Sequence, residues 1–358
     1  NGDNLPGHYV IADIRMDHDF PTERRSFFES SANPDATILI HRQPDNIWRV
    51  DWQVAESDDL EAAVREDTIR QKVGAILDMI GHSGPWELEW WSMYSANTLC
   101  LDDCRHGRAL FIGDAAHIVP IFGVRGLNNG IADAVNAGWK LACRLRGLSP
   151  DSLLDSYTVE RRGATLDVFR NAGRSSRFMT PPSRGQALVR RAVLELALDQ
   201  AFARPFADPR QVQPWLYDDS PLTCVDAGDF CGGPRPGAPL HNVQLGEDDY
   251  LLDYLGPGFC LLYFAGSRDQ DDGAVAIARH LAAMTPGLQL LIVGAEGDTT
   301  LEIACLADPD RRAARRYAAE PGAMYLVRPD RYIAARWQRP TDTAVEQAMR
   351  AAMGSRNQ

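Results

Sequence analysis

Hydrophobic and polar positions alternate with different periods in different parts of the chain. "ATILIHRQ" and "IWRVDWQVA" are strand-like runs on either side of the turn signal Pro44-Asp45-Asn46. In the second run Trp48, Val50 and Trp52 alternate with Arg49, Asp51 and Gln53, so one face is apolar and the other polar. "DLEAAVREDTIRQKVGAILDMIG" carries apolar residues at helical spacing and ends at Gly81. Further along, "ALFIG" predicts a short apolar strand from Arg108 to Ile112, and a helix follows from about Asn129 to Leu145. On that helix Ile131, Val135, Gly138, Ala142 and Leu145 share one face, with Asp133, Asn136 and Lys140 on another. Near the C-terminus, "GFCLLYFAG" and "LQLLIVGA" are buried-type strands around the helical "AVAIARHLAAM". "AMYLVRPDRYIAARW" then predicts a hairpin, and a last helix starts at Thr341.

These elements divide the chain. Residues 1–108 are β-rich, and 109–203 are one strand followed mostly by helix. Residues 204–239, rich in Pro, Gly and Asp, read as a linker or ordered excursion. Residues 240–358 run βαβ then ββα, the order of a small α/β layer domain.

Composition narrows the function classes. The 358 residues are 45% hydrophobic and 24% charged, ordinary for a globular protein. A net charge of -12, from 49 acidic and 37 basic residues, argues against a general nucleic-acid or anionic-membrane binder. No apolar run reaches the length of a membrane span. The seven cysteines include no C-x-x-C pair and no zinc-like or disulfide-framework spacing, so no metal site is expected and a reducing cytoplasm is the expected location.

The stretch "GDAAHIVPIFGVRGLNNGIADAVNAGWKLA", residues 113–142, carries the chemistry. Asp114 stands just past a strand's C-terminal end, a favoured ligand position in α/β sheets. Pro120 stiffens the loop, and Gly123, Gly126 and Gly130 allow close backbone approach or positive φ. The N-terminus of the following helix offers unpaired N–H groups and a partial positive charge to an anion. From the glycines and the aspartate alone, a ligand loop and a packing turn are both open.

The full string resembles the second FAD-binding motif of the group A flavoprotein monooxygenases, the aromatic hydroxylases. The matching positions are Gly113 to His117, Pro120, Gly123, Gly126, Asn128, Gly130, Asp133-Ala134, Asn136 and Trp139 to Leu141. "HRQPDNIWRVDWQV", "LEWWSMYSANTLCLDDCRHGRALFIGDAAH", "LLDSYTVERR" and "RFMTPPSRG" resemble the 3-(3-hydroxyphenyl)propionate hydroxylase-like branch. "YLVRPDRYIAARW" resembles the thioredoxin-like C-terminal domain of that branch and of phenol hydroxylase.

The resemblance implies an α/β and α+β fold. Residues 1–108 would be a substrate-binding β-sheet domain and 109–203 the second half of a Rossmann-like FAD-binding domain. Residues 240–358 would be thioredoxin-like. It also implies that Asp114 contacts the ribityl–pyrophosphate part of FAD, with Pro120 and the glycine loop beside the isoalloxazine. The cofactor contacts it carries over are Gly113, Asp114, Pro120, Gly123, Arg125, Gly126, Leu127 and Asn128, with His117 a positioning residue. Arg49, Asp51 and Gln53 lie on a strand whose family counterpart faces flavin and substrate. The implied reaction uses NADPH or NADH to reduce FAD, adds O₂ at C4a, and transfers oxygen from the hydroperoxide to a small phenol-like aromatic substrate. No catalytic acid or base is set by the residues, and a homodimer is left open.

Two patterns of the family are missing. The Gly-x-Gly-x-x-Gly fingerprint for the ADP part of FAD is absent, as is the Asp-Gly motif that precedes the substrate domain. The alternative expectation is therefore a non-catalytic fragment or binding scaffold unable to hold FAD alone. The C-terminal region has Cys260 inside a strand and no dithiol after it, which disfavours thiol exchange. With no recognisable catalytic group there, its removal is expected to affect solubility or assembly more than chemistry.

Overall fold

The structure, a computed structural model, describes residues 2–55, 57–119, 125–207, 214–224, 226, 229–295 and 303–355. The chain folds into two compact units that interleave along the sequence. One comprises Asn1–Cys100, His117–Asn128 and Val168–Gln211, the other Leu101–Ala116, Asn129–Asp167 and Val212–Gln358.

The first unit is built on a sheet. Its strands are β1 (Gly2–Met16), β2 (Arg25–Ser30), β3 (Asn33–Arg42) and β4 (Ile47–Val54). Helices α1 (Leu60–Ala63) and α2 (Glu66–Met79) follow, then β5 (Trp86–Cys100). Strands β6 (Arg105–His106) and β7 (Ala109–Leu110) belong to the second unit, and β8 (His117–Ile118) completes the first sheet in the order β2-β3-β4-β1-β5-β8. The turn between β3 and β4 forms where Asp45 and Asn46 take φ of 61° and 57°, conformations their short polar side chains tolerate. This register sets Leu39 opposite Asp51 and puts Trp48, Val50 and Trp52 in a core with Val10, Ile14, Ile38 and Ile40. Ile69, Val73, Ile76 and Leu77 of α2 cover that face. The helical pattern before Gly81 resolves into two helices. At the break the Trp91 indole donates to the Val64 carbonyl at 2.9 Å.

Helices α3 (Arg125–Leu145) and α4 (Ser156–Met179) contribute residues to both units, while α5 (Arg184–Asp199) and α6 (Arg204–Ala207) lie in the first. Ser183 caps α5 by accepting from the Gln186 N–H.

The second unit holds β9 (Cys260–Phe264), α7 (Arg268–Ala282), β10 (Gln289–Val293) and β11 (Ile303–Leu306). It continues with α8 (Arg312–Tyr317), β12 (Met324–Val327), β13 (Ile333–Trp337) and α9 (Asp342–Ala352). The sheet order is β11-β10-β9-β12-β13, with β9, β10 and β11 parallel and β12 antiparallel to both neighbours. Thr341 caps α9 by accepting from the Ala344 N–H, as the pattern of a last helix required. β11 and α8 were not legible, because each is too short to show a period. Leu261, Tyr263, Leu290, Met324 and Leu326 share a core with Trp139 and Leu153, so the C-terminal sheet and α3 are packed in one unit. The Pro-, Gly- and Asp-rich stretch is ordered where described: Tyr217 and Leu222 are buried, and the Tyr217 N–H donates to the Gly237 carbonyl.

Three expectations need correction. The strand foreseen at Arg108–Ile112 is only Ala109–Leu110, paired with β6. The Phe111 N–H instead reaches the Cys104 carbonyl, and Ile112 leads into a single 3₁₀ turn at Gly113–Ala115. Helix α3 starts at Arg125 rather than near Asn129, so Arg125 to Asn128 form its first turn and not a loop. Its burial is also inverted. Ile131 and Val135 are 53% and 49% exposed and Leu145 is 84% exposed, whereas Asp133, Asn136 and Lys140 are buried. Those polar side chains are buried because buried partners satisfy them: Asp133 takes Arg161, and Asn136 and Lys140 take Glu160. Among the described residues, no helix is long and apolar enough to cross a membrane.

Candidate cofactor and substrate sites

The Gly-Asp turn sits in the second unit. Gly113 takes φ of +56°, which an L side chain would resist, and its N–H donates to Asp133 Oδ2 at 2.9 Å. A Cβ on Gly130 would lie 3.4 Å from the Gly113 Cα, so two glycines let the turn rest on α3. Asp114 follows on the 3₁₀ turn with its side chain exposed, and His117 is buried at the start of β8.

Behind the turn lies a buried ionic network, all of it in the second unit. Arg161 Nε donates to Asp133 Oδ1 at 2.6 Å, and its other nitrogens reach Asn129 Oδ1 at 2.5 Å and the Tyr217 hydroxyl at 3.1 Å. The next residue back on α4, Glu160, receives Lys140, Asn136, Ser220 and a two-pronged contact from Arg328 at 2.6 and 2.9 Å. Arg328 also grips Asp330, which accepts from the Trp139 indole at 3.1 Å. Burial alone would raise the Glu160 pKa, but Arg328 and Lys140 outweigh it and hold the carboxyl well below the usual range.

Arg125, Gly126, Leu127 and Asn128 lie in the first unit as the opening turn of α3. Arg125 is buried and donates to the Val168 carbonyl at 3.4 Å, while Leu127 and Asn128 are exposed. Pro120 and Gly123 lie outside the described residues.

Arg49, Asp51 and Gln53 also belong to the first unit and share the polar face of β4, but they differ in surroundings. Arg49 holds Asp13 of β1 in a two-pronged pair at 2.8 Å. Gln53 Oε1 accepts from the Thr180 hydroxyl, which also meets the Tyr9 hydroxyl. Asp51 is buried, and its Oδ1 has no hydrogen-bond partner among the described residues. Loss of water pushes its carboxyl up to about 6, against the opposing pull of Arg24 and Arg49. Nearby, Tyr94 stacks on Tyr9 with ring centres 5.8 Å apart, and burial raises its pKa. Of the other aromatics on β5, Trp91 packs on the sheet core while Trp90 is about half exposed.

Sequence reasoning assigned no role to Asp13, Asp133 or Arg161. Asp13 could have been found by pairing β1 against β4, where it faces Arg49. Asp133 stands inside the quoted motif, but only the folded chain shows what it holds.

The geometry defines a class first: a mixed α/β fold with a curled sheet and a Gly-Asp turn resting on a long helix. Comparison with known proteins agrees. Residues 12–172 match the FAD binding domain family. Rifampicin monooxygenase from Rhodococcus hoagii is 40% identical over 62% of this chain and 44% of its own length. A 3-(3-hydroxy-phenyl)propionate/3-hydroxycinnamic acid hydroxylase from Mycolicibacterium vanbaalenii is 30% identical over 68% of this chain and 44% of its own. 6-Methylpretetramide 4-monooxygenase from Streptomyces rimosus is 27% identical over 96% of this chain and 61% of its own. The chain thus spans about half the length of these relatives. Its fold is shared with the flavin-dependent monooxygenase PieE, solved with FAD and substrate, at a TM-score of 0.73 and 20% identity over 99% of this chain and 67% of that one. Over the spans given, the chain is thus similar to FAD-dependent flavoprotein monooxygenases, and residues 12–172 carry the FAD binding domain match.

Proposed function

We propose that this chain supplies the substrate-binding sheet and part of the FAD site of a monooxygenase that hydroxylates a small phenolic or related aromatic compound. The observation that carries the reading is the Gly113-Asp114 turn, pinned on α3 within the segment that matches the FAD binding domain family. FAD, reduced by NADH or NADPH, would supply the oxygen-activating chemistry with O₂. The residues fit that group by their donor and acceptor chemistry. The exposed Asp114 carboxylate suits sugar-alcohol hydroxyls, and Arg125 to Asn128 at the opening of α3 are further cofactor contacts of this reading. Pro120 and Gly123 complete the proposed cofactor contacts.

On the substrate side, Asp51 is the group suited to accept a phenolic proton. A carboxyl held near 6 exchanges protons close to neutral pH, and its Oδ1 is uncommitted among the described residues. The Arg49–Asp13 pair and Gln53 would orient the ring substituents. In this reading 1–108 is the substrate domain, 109–203 the second half of the FAD domain, 204–239 a linker and 240–358 a thioredoxin-like domain. The β9-α7-β10 and β12-β13-α9 order supports the last assignment. Among the described residues, no helix long and apolar enough to cross a membrane accompanies the expected cytoplasmic location.

A second reading, a scaffold that does not hold FAD alone, is favoured by the exposed Ile131, Val135 and Leu145 of α3. Titration of the chain with FAD, followed by flavin fluorescence and calorimetry, separates the two. Saturable binding weakened at least tenfold by Asp114→Ala, with an unchanged far-UV spectrum, supports the cofactor reading. Binding that Asp114→Ala leaves intact removes Asp114 from the site, and no binding at all selects the scaffold.

A further inference from the structure

The two carboxylate oxygens of Asp133 reach different partners. One carboxylate oxygen accepts the Gly113 N–H at 2.9 Å, and the other accepts Arg161 Nε at 2.6 Å. The side chain is fully buried, and so is nearly all of Arg161. Gly113 is the residue with positive φ that turns the chain out of β7 toward Asp114. A buried ion pair is weak evidence for stability, since well-packed apolar residues serve as well, but its directional bonds can select one geometry. Here the selected geometry is that of a backbone amide one residue from the proposed flavin-binding carboxylate. Arg161 is itself aimed by three further bonds, two to Asn129 and one to the Tyr217 hydroxyl, whose ring stacks on Tyr332 at 4.1 Å.

We propose that Asp133 is a positioning residue: held by Arg161, it fixes the Gly113 amide and thereby the direction in which Asp114 presents its carboxylate. The claim about Asp114's use rests on the FAD reading above, while the claim about Gly113 does not. The consequence is specific to chemistry as well as shape. An acceptor must face Gly113, and a group complementary to residue 161 must face that residue.

Amide hydrogen exchange of segment 109–117 in the full chain, read by mass spectrometry alongside FAD titration, tests this. Asp133→Ala is expected to speed exchange at Gly113 at least tenfold, with β9 amides at the parent rate, and to weaken FAD binding about tenfold. Asp133→Asn aims its amide at the Arg161 guanidinium and is expected to act like Asp133→Ala. The pair Asp133→Asn with Arg161→Gln restores a neutral, complementary contact and is expected to return most of the protection, a rescue that lost packing alone would not show. This pair also carries the test should Asp133→Ala fail to fold. Unchanged exchange at Gly113 in Asp133→Ala, or no rescue in the pair, overturns the proposal whether or not FAD binds. Faster exchange in Asp133→Ala, where the parent chain binds no FAD, upholds the positioning role and removes the flavin reading instead.

Discussion

At the scale of single residues, the most informative group is Asp51. Burial lifts its carboxyl from the ordinary carboxylate range to about 6, so the folded state favours the protonated form. The stability this contributes is fully present below the ordinary value of about 3.8 and is lost as pH rises through about 6. Asp51→Asn mimics the protonated form. It is expected to raise the melting temperature at pH 8 by at least about 2 °C and to leave it unchanged at pH 4. Thermal denaturation at both values checks this, and an equal shift at both would show that Asp51 does not titrate near 6. His41, two positions from Leu39 on β3, is pushed down to about 4 by burial and by Arg24 and Arg49, so it is neutral at pH 8 and takes up its proton only near pH 4.

At the scale of elements, α3 departs furthest from what its own pattern suggests. A helix with one apolar stripe ordinarily turns it inward. This one keeps Asp133, Asn136 and Lys140 inside and leaves Ile131 and Val135 outside. The fixed partners Arg161 and Glu160 outweigh the stripe, because an unpaired buried charge costs several kcal/mol and an exposed valine much less. Ile112 of the same unit is also exposed. Replacing Ile131 with Glu and Val135 with Lys places an ion pair four residues apart on solvent. We expect unchanged helicity, with reduced hydrophobic-dye fluorescence and less light scattering. Loss of helicity in that variant would mean the stripe is packed after all.

At the scale of the whole molecule, the second unit is organised around charge inside its core. Arg328, on the chain between β12 and β13, is almost wholly buried and pairs with both Glu160 and Asp330. Residues 240–358 thus supply a counter-ion to the α4 glutamate that precedes Arg161. Arg328→Met leaves two buried carboxylates short of a cation and is expected to cost roughly 3–5 kcal/mol. A fall in the urea midpoint, at constant slope, measures it, and a midpoint within error of the parent would show that the pair is energetically idle.

Much of the fold was legible because it rests on local rules. The β3–β4 turn needs residues that tolerate positive φ, and Asp45 and Asn46 are such residues. The period of two in "IWRVDWQV" sorted Trp48 from Arg49 before any partner was known. A last helix was legible from Thr341, and the structure shows Thr341 capping it. The 113–142 motif, read as a string, pointed to a flavin before the turn was seen. What only the tertiary structure decided is which polar residues go inside. Asp133 finds Arg161, Asn136 and Lys140 find Glu160, and Glu160 finds Arg328 on a strand-connecting turn far along the chain. Periodicity measures how apolar a face is. It carries no record of a distant charge, and a buried charge is stable only where its partner is delivered by the rest of the fold.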